Sequence, residues 1–272
     1  MNEVQGKLAV SAPAKVNLHL TVLDKRPDGF HNLESVFLAV NLADTLYFEP
    51  IEPENSIEID MQGINSPIPT EKNIIFKAVS LFRQKTGFSQ GLKITVEKRI
   101  PLGGGLGGGS SDAASTLLAL NKLAGSPCGK DTLLEMASSL GSDVPFFIHE
   151  ITAAIVTGRG EHIQPIETPP MHLVLVNPGF PSDTAAAFRL LDDYREREKD
   201  YANDFLSIFP EKEKSVYNEI ISRLKELGAA NANLSGAGST CFGVFEDGGQ
   251  AQKAAEAMHD SWEFSAFCST KQ

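Results

Sequence analysis

Leu8, Val10 and Ala12, and then Val16, Leu18, Leu20 and Val22, are apolar at every second position, so two strands are predicted to open the chain. The same period places Lys15, Asn17 and His19 on the face opposite that apolar row. Arg26-Pro27-Asp28-Gly29 is a turn signal, because proline presets φ and glycine accepts φ > 0. Strand-like runs follow at Ser35 to Leu42 and Asp44 to Phe48. Asn73 to Phe82 carries Ile74, Ile75, Ala78, Val79 and Phe82 at helical spacing. Leu92 to Ile100 alternates as a half-exposed strand should. Helices are predicted over Ser111 to Ala124 and Thr132 to Leu140, the second closed by Gly141.

Further on, strands are predicted at Ile151 to Val156 and His172 to Val176, with the Gly158-Arg159-Gly160 turn between them. Helices at Thr184 to Asp192 and Lys212 to Leu227 come next, then a strand at Thr240 to Phe245, a helix at Gln250 to Met258 and a strand ending near Cys268. Strand and helix runs do not alternate strictly, which favours an α+β fold in two lobes over a doubly wound parallel sheet. Thr168-Pro169-Pro170 is the expected boundary, giving an N-terminal lobe over 1–167 with the glycine-rich loop and a C-terminal α+β lobe over 168–272.

Pro101-Leu102-Gly103-Gly104-Gly105-Leu106-Gly107-Gly108-Gly109-Ser110-Ser111 links a strand to a helix. Six glycines in the seven positions from Gly103 to Gly109 remove side-chain bulk, so backbone N–H groups can form a concave anion nest. Ser110 or Ser111 is expected to cap the following helix, whose free N–H groups face the same spot. A flexible linker would leave the helix that starts at once unexplained. Gly103-x-Gly105-x-x-Gly108 matches the dinucleotide fingerprint, but the strand before it alternates and is not continuously apolar. A Walker loop needs Gly-Lys-Ser/Thr, and no lysine follows these glycines. What remains is a phosphate cradle of a third type.

The charge balance agrees with a cradle made of backbone. The 272 residues hold 24 Lys plus Arg against 35 Asp plus Glu, a net charge of −11, so any positive potential for an anion is local. No basic stripe points to nucleic acid. Three scattered cysteines, Cys128, Cys241 and Cys268, make neither a disulfide framework nor a CxxC metal site. No apolar h-region opens the chain and no apolar run approaches the ~18 residues of a membrane span, so a cytoplasmic protein without membrane contact is expected.

The glycine segment resembles the phosphate loop of the galactokinase, homoserine kinase, mevalonate kinase and phosphomevalonate kinase superfamily. Pro13-Ala14-Lys15-Val16-Asn17-Leu18 is similar to its first motif, and Leu234-Ser235-Gly236-Ala237-Gly238-Ser239-Thr240 to its third. Within the superfamily, Arg26 to His31, Leu140 to Pro145 and Gly158 to Glu161 resemble the 4-diphosphocytidyl-2-C-methyl-D-erythritol kinase family of the non-mevalonate isoprenoid route. The likeness runs from about Leu8 to Cys268 and is thinnest from Asp192 to Leu227.

The resemblance implies that ATP phosphorylates a hydroxyl of a cytidine-diphosphate-linked polyol in a cleft between two lobes. It makes Asp143 the general base, Lys15 its partner, and Pro101 to Ser111 the holder of the ATP phosphates. Asn73 and Lys98 resemble residues around the adenine. Asn17, Phe30, His31, Phe37, Thr184 and Phe188 align with positions holding the cytidine and erythritol parts. Phe30 stands where tyrosine is more usual, and Ser182-Asp183-Thr184 replaces an adjacent Ser-Thr pair. Another kinase of the superfamily, or a ligand sensor that has lost catalysis, are the competing readings. Arg26 to His31 argues against the first, and the retention of both Lys15 and Asp143 against the second.

Phosphoryl transfer needs a phosphate cradle, charge neutralisation, Mg2+ and an aligned or deprotonated hydroxyl. Asp143, between Gly141 and Pro145, is predicted in the first turn of a new helix, where it is either a cap or an ionised base. Lys15 is either a snorkelling surface lysine or part of a polar inner face with Asn17. His19, His149, His162, His172 and His259 lack metal-ligand spacing, so no protein-bound metal is expected. Mg2+ is expected to enter with ATP, with Ser111 the best protein candidate to touch it. The protein is expected to work as a monomer or weak homodimer.

Overall fold

The computed structural model describes residues 2–4, 7–63, 69–193 and 202–271. In chain order the strands and helices are β1 (Asn2–Val4), β2 (Lys7–Lys25), β3 (His31–Ile51), β4 (Ile57–Gln62), α1 (Ile74–Thr86), β5 (Gly91–Glu97), α2 (Gly108–Leu123), α3 (Lys130–Leu140), α4 (Val144–Ile148), β6 (Ala153–Gly158), β7 (His162–Pro165) and β8 (His172–Asn177). They continue as α5 (Thr184–Asp193), α6 (Phe205–Ile208), α7 (Glu211–Glu226), β9 (Asn231–Leu234), β10 (Cys241–Phe245), α8 (Gly248–His259) and β11 (Phe264–Ser269). Helices and strands are mixed without strict alternation, an α+β composition.

The two strands expected at the start are one, β2, and the two expected between Ser35 and Phe48 are one, β3. The reason is burial on both faces. Residues Ala12 to Asn17 are all buried, so the apolar alternation vanishes there although the strand continues. β2 and β3 each pass from one compact unit to another, at Ala14–Lys15 and Asn41–Leu42.

The first unit comprises Met1–Ala14, Leu42–Ile100 and Gly107–Ile151. In it the second part of β3 pairs antiparallel with β5, which pairs parallel with β4. Helix α1 packs on α2 and α3, and α2 on α4. Phe48, Ile75, Phe82, Leu92, Ile94, Leu117 and Phe146 are buried at this core.

The second unit comprises Lys15–Asn41, Pro101–Leu106 and Thr152–Gln272. The first part of β3 pairs there with β6, and β6 with β7. A four-stranded antiparallel sheet runs in the order β11-β8-β10-β9, with α7 on β9 and β10 and α8 on β8, β10 and β11. The boundary expected at residues 167 and 168 falls inside this unit. The chain enters and leaves each unit more than once, so one cut in sequence does not separate them. Among the described residues no helix is long and apolar enough to cross a membrane.

Candidate active site

The second unit holds most of the candidate residues, several of them on or beside β2. Lys15 is 4% exposed, and its backbone N–H donates to Leu106 O (2.9 Å), tying the lysine to the glycine segment. Its ammonium donates to Asn17 Oδ1 and lies 4.5 Å from the centre of the Phe37 ring. The inner-face reading of Lys15 therefore holds. Asn17 Nδ2 donates to Ser35 Oγ (2.8 Å), and Asn17 N to Ser235 Oγ (3.2 Å). Ser235 in turn donates to Gly105 O (3.1 Å). The three glycine and lysine motifs are thus joined hydrogen bond by hydrogen bond. Phe37 is buried beneath the lysine.

Gly103 and Gly105 take positive φ, 62° and 74°. A Cβ on Gly105 would come within 2.2 Å of Ser235 O and 2.9 Å of Gly238 O. One on Gly104 would come within 2.7 Å of Thr240 Oγ1. These glycines admit the neighbouring 234–240 turn, a requirement set by the protein's own backbone.

The Arg26 to Phe30 turn closes with Gly29 N donating to Arg26 O (3.1 Å). The Arg26 guanidinium donates to Glu161 Oε1 (3.1 Å), so the 26–31 and 158–161 motifs meet. Phe30 is 48% exposed, with the Arg159 guanidinium 5.0 Å from its ring centre. His31 is buried and stacks on Phe188, centroids 5.3 Å apart and rings inclined by 16°. Phe188 meets Phe205 edge-on at 4.9 Å and packs against the second unit's core. Thr184 opens α5 and is exposed; Asp183 Oδ1 accepts from Ala186 N (3.0 Å), capping that helix. The aspartate that interrupts the more usual Ser-Thr pair is thereby explained.

The first unit holds the rest. Helix α2 begins at Gly108, three residues earlier than expected, with Gly107 as N-cap at φ 68°. Neither Ser110 nor Ser111 caps it, because both already lie in its first turn. The Ser111 hydroxyl is buried with no hydrogen-bond partner among the described residues, and so is Asp112 Oδ1. Gly109 is exposed, and a Cβ there would find nothing nearer than Ile74 Cγ2 at 3.8 Å. Asp143 is half-buried at the N-cap position of α4, yet its side chain makes no cap hydrogen bond, so the bland capping reading fails.

Asn73 is the N-cap of α1, its Oδ1 accepting from Ile75 N (2.9 Å). Lys98 is enclosed: its ammonium binds Asp44 and donates to Asp112 Oδ2 (2.7 Å), with its side chain 3% exposed. Asp44 Oδ1 also accepts the backbone amides of Arg99 (2.6 Å) and Ile100 (2.9 Å). Burial works against the Lys98 charge, but Asp112 and Asp44 together outweigh it and hold its pKa above the ordinary value. Asp112 is pushed up to about 7 by burial, opposed by Lys98 and assisted by Asp44. Sequence reasoning missed Asp44 and Asp112. The one signal for Asp44 is an acid among the apolar positions of β3. Among the described residues no group of three or more His, Cys, Asp or Glu side chains could hold a metal ion.

Residues 73–150 match the family described as GHMP kinases N terminal domain, and residues 199–263 the family GHMP kinases C terminal. The chain is 37% identical to a 4-diphosphocytidyl-2-C-methyl-D-erythritol kinase of Thermodesulfovibrio yellowstonii, covering 94% of this chain and 95% of that one. It is 36% identical to the protein of the same name from Deinococcus radiodurans, covering 91% and 87%. A crystal structure of 4-(cytidine 5'-diphospho)-2C-methyl-D-erythritol kinase superposes with a TM-score of 0.81 at 33% identity, over 97% of this chain and 100% of that one. Methanococcus jannaschii mevalonate kinase shares the fold, with a TM-score of 0.72 at 12% identity over 99% and 100% of the two chains. The chain belongs to the 4-diphosphocytidyl-2-C-methyl-D-erythritol kinase family of the GHMP kinases, which are ATP-dependent small-molecule kinases.

Proposed function

We propose that this protein transfers the γ-phosphoryl group of ATP to the 2-hydroxyl of 4-diphosphocytidyl-2-C-methyl-D-erythritol, in the non-mevalonate route to isoprenoid precursors. Asp143 accepts the hydroxyl proton as that oxygen bonds to the γ-phosphorus. The bond from the γ-phosphorus to the β,γ-bridging oxygen breaks, and ADP leaves. Lys15 stabilises charge at the acceptor oxygen and the transferring group. One observation supports this reading: the Lys15 amide is bonded to Leu106 O of the glycine segment, and its ammonium is held by Asn17 Oδ1 over the Phe37 ring.

The Pro101 to Ser111 segment holds the phosphates through the backbone amides of Leu102 to Ser110, the unpaired N–H groups of the first turn of α2 included, while the Ser111 amide donates to Gly107 O. Mg2+ fits beside Ser111, whose buried hydroxyl lacks a partner among the described residues, and it would neutralise phosphate charge. Asn73 keeps its amide nitrogen for the adenine, while Lys98 serves the adenine side by holding Asp112 and Asp44 in place. Phe30 and Phe188 offer ring faces to the cytosine, and His31 its edge. Asn17 and Thr184 take the polyol and diphosphate, and Phe37 backs the Lys15 ammonium. The enzyme works in the cytoplasm on a small-molecule acceptor.

The test is coupled ADP release with 4-diphosphocytidyl-methylerythritol, homoserine and mevalonate as parallel acceptors. Turnover with the first alone is expected. Preferential turnover of either other acceptor would overturn the substrate assignment.

A further inference from the structure

The side chain of Asp192, in the last turn of α5, does two things at once. Its Oδ1 lies 2.8 Å from Nε2 of His31, and its Oδ2 pairs with the Lys25 ammonium. The Lys25 hydrogen bond, against a desolvation cost, and then the His31 hydrogen bond hold the Asp192 carboxyl below the ordinary carboxylate range. An ionised carboxylate has no proton to donate, so Nε2 of His31 must carry the hydrogen. Nδ1 of His31 has no hydrogen-bond partner among the described residues. The ring itself is fixed by its stack on Phe188, which Phe205 holds from the side.

We infer that Asp192 is a positioning residue for base recognition: by accepting Nε2–H it favours the His31 tautomer whose Nδ1 can only accept a hydrogen bond. A ring held this way favours a ligand edge that carries an N–H donor. The exocyclic amine of cytosine supplies one. Uracil has a carbonyl oxygen at the same place and would set two acceptors against each other, leaving both unpaired. Asp192 thereby selects cytidine without touching it, and Lys25 fixes the carboxylate. This rests on the reading of His31 as the group at the base edge.

The experiment compares kcat/KM for 4-diphosphocytidyl-methylerythritol and its uridine analogue at pH 8, where imidazole is ordinarily neutral. It uses the full-length protein and the variants D192N, D192E and H31Q, with long-range 15N–1H spectra reporting the His31 tautomer. The amide of D192N can turn to donate to Nε2, which releases the tautomer. The preference for cytidine should then fall about tenfold, through acceptor KM, and D192E should restore much of it. ATP KM should stay within a few-fold in all variants. An unchanged tautomer with unchanged discrimination in folded D192N overturns the inference while leaving the base-edge reading intact. Unchanged discrimination in H31Q overturns that reading itself, and the inference with it.

Discussion

Asp44 and Lys98 form an ion pair whose side chains are 0% and 3% exposed, and the same Asp44 carboxylate accepts the amides of Arg99 and Ile100. Lys98 carries the connection on to Asp112, in the first turns of α2. The chain leading into the glycine segment and the helix leading out of it are therefore braced by one buried cluster. Lys98 is expected near adenine by resemblance alone; here its ammonium is bound by Asp44 and Asp112.

Lys98→Met should consequently act on the fold before it acts on ATP. It leaves two carboxylates facing each other in the interior without a counter-charge, a loss of ~3–5 kcal/mol by the cost of breaking a buried pair. Urea unfolding at pH 7 measures it. Adding Asp112→Asn should recover part of the loss, since one of the opposed charges is then gone. A Lys98→Met protein with parental stability and impaired ATP binding would show that the lysine belongs to the nucleotide and not to the brace.

Asp112 supplies a pH signature. Its carboxyl is raised to about 7 from the ordinary 3.8, so between those values the folded protein holds a proton that the unfolded chain has released. Stability attributable to this group is highest in acid, declines as pH rises through the window, and is lowest above pH 7. Asp112→Asn should remove that decline, making the variant relatively more stable the higher the pH. Thermal melts of both proteins from pH 4.5 to 7.5 provide the check, and parallel curves would mean that Lys98 keeps Asp112 ionised throughout.

The glycine segment separates into positions that serve the fold and positions open to a ligand. Gly105 cannot accept a Cβ without striking Ser235 O, so its substitution damages the second unit whatever it does to ATP. Gly109 is exposed, helical and spacious. Gly109→Ala should raise stability by ~0.5–1 kcal/mol, through lower entropy of the unfolded chain. If its amide faces phosphate, the same methyl should weaken a non-hydrolysable ATP analogue about tenfold or more, by blocking close approach. Opposite signs for melting temperature and calorimetric affinity are the expected result. Gains in both would take Gly109 out of the cradle.

Much of this was legible in sequence, and the exceptions share a cause. A period-two pattern, a glycine run and a helix after it are local signals, and they located β2, β5, α2 and the loop. Asp44 reaches Arg99 and Ile100, Ser235 reaches Asn17, and Asp192 reaches His31 across spans that periodicity does not cover. Each is a polar residue whose partner is chosen by tertiary packing. The start of α2 was misplaced for a related reason. Gly107 to Gly109 have poor intrinsic helix propensity, and the helix begins among them because α1 and α4 pack on it.

Asp143→Asn should lower turnover by ~10²-fold or more, with ATP affinity within a few-fold of the parent, because proton acceptance assists the chemical step. Lys15→Ala should do likewise. Lys15→Arg should rescue little, since the site between Asn17 and the buried Phe37 ring is shaped for a compact ammonium. Single-turnover rates measured alongside KM distinguish lost chemistry from lost binding. Near-parental turnover in folded Asp143→Asn would remove the assigned base.

Phe30 offers the cleanest test of base stacking. It is nearly half exposed and held by a turn that Arg26 ties to Glu161, so its truncation should hardly change the melting temperature. Phe188 is a poorer probe, because it packs on Phe205 and its loss would cost both stability and stacking. Arg159 lies 5.0 Å from the centre of the Phe30 ring, which gives the ring a cationic neighbour. Stacking on one aromatic face is worth ~1–3 kcal/mol, so Phe30→Leu should raise acceptor KM about tenfold or more and leave ATP KM alone. Phe30→Tyr preserves the ring and should be nearly neutral. An acceptor KM indifferent to Phe30→Leu would exclude this ring from the base site. Equal losses for ATP and acceptor, with a lower melting temperature, would mean that the turn holds the fold and does not read the base.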